Sequence, residues 1–185
     1  TKEDGYYELR GCKYTLTITT TSGGTTKPLP GKYSYSNGTQ AEVLAIPDTN
    51  NLFDRWKLDG ENAGITNPIK VLMNSNHTLQ AIFKPLTHNL TITTTAGGTT
   101  NPKPGNYTHV NGTVVSVTAI PDASYVFDHW ERDGSNIGSK NPIDIIMDAN
   151  HTVLAVFALR KYTLTITSTA GGNTNPTPGT RNYTV

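Results

Sequence analysis

Residues 14–24 read YTLTITTTSGG, residues 88–98 read HNLTITTTAGG, and residues 162–172 read YTLTITSTAGG. Apolar residues (Leu16 and Ile18, then Leu90 and Ile92, then Leu164 and Ile166) alternate with threonine. A period of two is the mark of a strand with one buried and one solvated face. The pair of glycines that follows returns at a step of 74 residues, as Gly23-Gly24, Gly97-Gly98 and Gly171-Gly172. Glycine takes a positive φ without steric cost, so each pair predicts a chain reversal.

The same step carries Pro47-Asp48 to Pro121-Asp122, Phe53-Asp54 to Phe127-Asp128 and Trp56 to Trp130, with no insertion or deletion. The predicted organisation is a leading segment (1–12), one module (13–86), a second (87–160) and the opening of a third (161–185). Fixed-period repeats build arrays, which serve mechanical or recognition roles more often than chemistry. Domains of about 70 residues bury only some 60% of their unfolded surface, so neighbours are expected to add stability.

Within one module, periodic segments read as strands and none shows helical spacing. Pro28-Leu29-Pro30-Gly31 predicts an extended loop ending in a Pro-Gly turn of type II. Asn37-Gly38 and Asn111-Gly112 lie between alternating segments and predict type I′ hairpins. A further turn is expected at Asp59-Gly60. Core faces are predicted for Val43 and Ala45, for Ile69, Val71 and Met73, and for Leu79, Ala81 and Phe83.

Composition excludes several classes of function. Fifteen basic and 14 acidic residues give a net charge of +1, without the basic face of a nucleic-acid binder. No apolar run approaches the ~20 residues of a membrane-spanning helix. Cys12 is the only cysteine, so no internal disulfide framework exists. Seven N-x-[ST] sequons occur, at Asn37, Asn76, Asn89, Asn106, Asn111, Asn150 and Asn182. They are candidates for N-linked glycans, which would place the chain outside the cell. A strand protein rich in Asn and Thr also makes such triplets by accident.

Chemistry-bearing residues are sparse. His77, His88, His109, His129 and His151 show no metal-ligand spacing, no serine sits in a G-x-S-x-G context, and no cofactor motif is present. Asp48, Asp54 and Asp59 recur as Asp122, Asp128 and Asp133, but their spacing departs from a calcium loop. Turn and strand-edge roles fit them better. Trp56 and Trp130 admit two roles: a core plug, or a surface platform for a sugar ring. Phe53 and Trp56 lie three positions apart, so a flat strand would send them to opposite faces. A bulge, or cover on both faces, would bury both.

One unit reads LTITT-x-x-GG-x-x-x-P-x-PG-x-Y, then NGT-x-x-x-V-x-AIPD, then F-D-x-W, then NPI-x-x-x-M-x-x-NHT-x-x-A-x-F. This pattern resembles the divergent InlB B-repeat family over nearly all of residues 13–185. The chain departs from it at Asp54-Arg55 and Asp128-His129, where the family often has Gly before Trp. The resemblance implies tandem β-grasp-like or β-sandwich modules, all-β, without catalytic residues. It also implies a place in surface or secreted proteins of bacteria and archaea, such as stalks, adhesins or filaments.

The two ends suggest an assembly. The segment Gly5-Tyr6-Tyr7-Glu8-Leu9-Arg10 aligns with the closing strand Leu79–Lys84, with Leu9 in the column of Phe83. Tyr162, Leu164 and Ile166 open the third unit. Either Tyr6, Tyr7 and Leu9 of one chain pair with Tyr162, Leu164 and Ile166 of the next, head to tail, or the chain is a stretch of a longer array. The expected function is a non-catalytic extracellular filament or stalk subunit that partners with itself. The alternative is an adhesin module that reads a glycan or protein ligand.

Overall fold

The computed structural model describes residues 11–184. Every regular element among them is a strand. The first unit contains β1 (Lys13–Thr20), β2 (Gly24–Lys27), β3 (Gly31–Ser36), β4 (Gln40–Pro47), β5 (Asn51–Leu58), β6 (Glu61–Gly64), β7 (Ile69–Leu72) and β8 (His77–Pro85). The second repeats them as β9 (Thr87–Thr94), β10 (Gly98–Asn101), β11 (Gly105–Val110), β12 (Val114–Pro121), β13 (Tyr125–Arg132), β14 (Ser135–Gly138), β15 (Ile143–Ile146) and β16 (His151–Leu159). The third begins with β17 (Lys161–Ile166) and β18 (Gly179–Thr184). The chain divides into two compact units between Leu86 and Thr87.

Each full unit has two sheets. Five strands run in the order β3-β1-β8-β5-β6, and three run β2-β4-β7; the second unit repeats both orders. The first and last strands, β1 and β8, lie side by side and parallel, with Leu16 opposite His77 and Ile18 opposite Leu79. That adjacency is grasp-like. Among the described residues no helix covers the sheet, however, and the three-stranded sheet supplies the second layer. The architecture is therefore all-β and sandwich-like.

Alternation places the core between the layers. Leu16 and Ile18 from β1, Ala41, Val43 and Ala45 from β4, Val71 from β7, Met73 just beyond it, and Leu79, Ala81 and Phe83 from β8 are all buried. The positions one repeat later form the second core.

The turns differ from expectation in two places. Asn37-Gly38 does not close a hairpin, because β3 and β4 belong to different sheets. Only Gly38 has a positive φ there, whereas a type I′ turn needs two. The Asn-Gly step carries the chain from one layer to the other. The doubly positive turn lies instead at Asp59-Gly60 (φ 51° and 90°) and at Asp133-Gly134 (φ 52° and 78°). Gly31 and Gly105 lack a positive φ, so no type II turn forms at Pro-Gly. Hydroxyls fix that loop: buried Thr26 donates to the Pro28 carbonyl at 2.6 Å, and the Tyr33 phenol donates to the Leu29 carbonyl at 2.7 Å.

The glycine pair has two distinct tasks. Gly23 and Gly97 take positive φ values of 98° and 104°. Gly24 and Gly98 are required by space: a Cβ there would stand 2.5 Å from the ring of Phe83 or Phe157.

Candidate functional site

The tryptophans are core residues. Pairing of β5 with β8 slips between Phe53 and Arg55, leaving Asp54 as the extra residue of a bulge. The slip restores Phe53 and Trp56 to one face, with ring centroids 5.2 Å apart. Trp56 is fully buried, and its indole N–H donates to the Thr66 carbonyl at 3.1 Å. Asp128 is bulged in the same way, and Trp130 is equally buried. Its Nε1 has no hydrogen-bond partner among the described residues. Neither ring is offered to a ligand. Asp54 receives Lys84 Nζ at 2.8 Å as well as the neighbouring Arg55, and Lys84 leads in holding its carboxyl below the usual range.

The strongest polar cluster joins the Asp59-Gly60 turn to the start of β8. Asp59 Oδ1 accepts the Thr78 N–H at 2.7 Å, and Oδ2 faces His77 Nδ1 at 2.6 Å. Those two donors, the backbone N–H first, lower the Asp59 pKa. His77 Nε2 lies 3.1 Å from the Ser75 hydroxyl, which completes the outline of a Ser-His-Asp triad. It is also 3.1 Å from the side-chain amide oxygen Oδ1 of Asn74. Nε2 is thus shared between two side chains of the same turn.

The second copy does not keep the triad. Ala149 stands where Ser75 stood and Asp148 where Asn74 stood. His151 lies between Asp133 at 2.7 Å and Asp148 at 2.9 Å. Asp148 and then Asp133 raise its pKa, and His151 in turn lowers that of Asp148. What both copies retain is an Asp–His clamp from a turn to a strand. Among the described residues no group of three His, Cys, Asp or Glu side chains could hold a metal ion.

A shallow groove of about 410 Å³ lies beside His77, lined by Thr15, Thr17, Lys32, Asn76, His77 and Thr78. It has no apolar lining residue to grip a substrate. The equivalent face of the second unit carries Asn89, Thr91, Asn106 and Asn150. There Thr91 donates to Asn106 at 2.8 Å, Thr108 donates to Asn89 at 2.9 Å, and the Asn89 N–H donates to Asn150 at 2.8 Å. Three sequons thus belong to one network of side-chain and backbone bonds. Asn182 in β18 likewise accepts from Thr163 at 3.1 Å.

Of the remaining sequons, Asn76 accepts the Thr15 N–H at 2.8 Å, and Asn111 Oδ1 lies 2.9 Å from His88 Nε2. Asn37 is exposed at the β3–β4 turn. Asn67 enters the sequence pattern only as the start of the NPI strand, yet its amide accepts from Ala45 N–H at 2.8 Å and donates to Ala45 C=O at 2.9 Å. It acts as one further rung between β7 and β4. Its recurrence as Asn141 before a proline was the available signal.

Of the assembly candidates, Tyr6, Tyr7 and Leu9 lie outside the described residues. Tyr162, Leu164 and Ile166 lie on β17, which pairs with β18 in the same register that β1 uses with β3. Leu16 is fully buried, whereas its counterpart Leu164 is 48% exposed.

The repeated bulge, the buried Trp and the Gly-Gly turn coincide with one known pattern. A family model, the divergent InlB B-repeat domain, matches residues 14–87 and 88–161. The chain belongs to the divergent InlB B-repeat family. This family is a repeat domain of bacterial surface proteins. No curated protein and no solved structure matches the chain.

Proposed function

We propose that this InlB B-repeat chain is a non-catalytic structural segment of an extracellular stalk or filament. One observation carries the proposal: the groups that both copies share do scaffold work. Gly24 and Gly98, Thr26 and Thr100, Trp56 and Trp130, Asn67 and Asn141, and the Asp–His clamps all pack, bulge or bridge strands. Outward positions change freely, as Ser75 to Ala149 and Lys32 to Asn106 illustrate. Chemistry would need the reverse pattern.

Assembly proceeds through β17. Its homologue β1 holds β3 on one edge and a parallel β8 on the other. Among the described residues β17 holds only β18. In a full repeat the equivalent edge holds a parallel closing strand, and in the proposed assembly another copy supplies that strand. An adhesin that stacks a glycan on tryptophan is disfavoured, because both indoles are buried.

Two measurements test this. Protease applied to intact cells should remove the chain; protection until lysis would contradict an exterior location. Electron microscopy at rising protein concentration should show end-to-end oligomers, shortened by a peptide copying residues 77–85. A single monomeric species at all concentrations would refute the assembly.

A further inference from the structure

The seven sequons are not equivalent once folded. Asn89, Asn106 and Asn182 lie within β9, β11 and β18. In a strand, N-x-T places Asn and Thr on one face because successive side chains alternate. Thr91 and Asn106, and Asn89 and Thr108, stand directly opposite each other in the ladder. Each sequon's hydroxyl is donated to the other's asparagine. These triplets are cross-strand Asn–Thr pairs, a standard means of stabilising a sheet face.

Asn37, Asn76 and Asn150 are different. All three lie in turns between strands, where acceptor sequons belong, whereas Asn89, Asn106 and Asn182, though also exposed, are strand residues. Asn37 makes no side-chain hydrogen bond among the described residues. Asn76 and Asn150 accept the N–H of Thr15 and of Asn89 through Oδ1, and their Nδ2 makes no hydrogen bond among the described residues. The turns meet at one pole of the first unit: Gly38 N–H donates to Met73 C=O at 2.9 Å, and Met73 N–H donates to Thr39 C=O at 2.8 Å. The second unit repeats this contact through Gly112, Met147 and Thr113. There, however, Asn111 is half-buried against His88, where the first unit has Tyr14.

We propose that Asn37, Asn76 and Asn150 are N-glycan attachment sites, and that Asn89, Asn106, Asn111 and Asn182 are structural and stay bare. The proposal rests on the exterior location put forward above. The co-reactant is a lipid-pyrophosphate-linked oligosaccharide. The asparagine Nδ2 forms a bond to C1 of the sugar as the C1–O bond breaks. The lipid pyrophosphate leaves with the electron pair, and the amide nitrogen loses one proton. Oδ1 remains an acceptor, so the bonds to Thr15 and Asn89 survive modification.

Glycopeptide mass spectrometry of the chain recovered from its own cells tests the assignment. Sugar is expected on Asn37, Asn76 and Asn150 and on no other sequon. Bare asparagine at these three, or sugar on the strand sequons, would overturn it. A His88→Ala variant should bring Asn111 from unmodified to an occupancy comparable with Asn37; unchanged Asn111 beside an occupied Asn37 would refute the access argument. Protease treatment of intact cells separates the two failures. A bare chain that is still cleaved from outside would sink the glycan sites and leave the exterior location standing.

Discussion

Single residues in this protein can be judged against their own copies. Gly24 and Gly172 occupy the same repeat position, but only Gly24 has an aromatic ring and the Ile46 carbonyl where a Cβ would go. Gly24→Ala should therefore cost about 1–3 kcal/mol through overpacking, while Gly172→Ala should be near neutral. Denaturant midpoints of the two variants check this. His151 gives a second test. Its raised pKa means that the clamp's contribution is full below the unfolded value of about 6.5 and is lost as pH rises through the folded value. Asp133 and Asp148 are lowered, so their contribution is lost as pH falls below about 3.8 through their folded values. NMR titration should find His151 titrating above 6.5, and Asp148→Asn, which recreates the first copy, should bring it down. A wild-type value at or below 6.5 would contradict the geometry. The Gly-Gly positions and the recurrence of Trp were legible in sequence because the 74-residue step exposes them, whereas the burial of Trp depends on the bulge at Asp54. The clamp was not legible, since Asp59 and His77 lie 18 residues apart and meet only when the β5–β6 turn folds back on β8.

At the scale of elements, strands were legible and their partners were not. Alternation placed Leu16, Ile18, Val43 and Val71 on buried faces, as observed. Asn37-Gly38 misled because a local turn signal cannot report that the next strand joins another sheet. The bulge at Asp54 was anticipated only as a way to reconcile Phe53 with Trp56, and the register slip between Phe53 and Arg55 supplies it. Side-chain rungs stayed hidden: Asn67-Pro68 reads as the opening of a strand, yet the Asn67 amide makes two bonds to Ala45. Asn67→Ala should lose both and cost about 1–3 kcal/mol by leaving the Ala45 groups unpaired. Amide hydrogen exchange at Ala45 should accelerate in step. Unchanged exchange would mean that β4 and β7 are held without the rung.

At the scale of the molecule, two modules repeat one solution to a small-domain problem. Each has a thin core between five strands and three, and each relies on one large indole to fill it. Removing that indole should be severe: Trp56→Ala or Trp130→Ala should cost about 3–5 kcal/mol, enough to unfold a marginal module. With both tryptophans in the core, neither indole is available as a surface platform for a sugar ring, which supports the proposed structural role. Iodide quenching of tryptophan fluorescence tests that claim most directly. Emission should be blue-shifted and almost insensitive to iodide until denaturant unfolds the modules; strong quenching of the native chain, or protection by an added oligosaccharide, would place an indole at the surface and contradict the account.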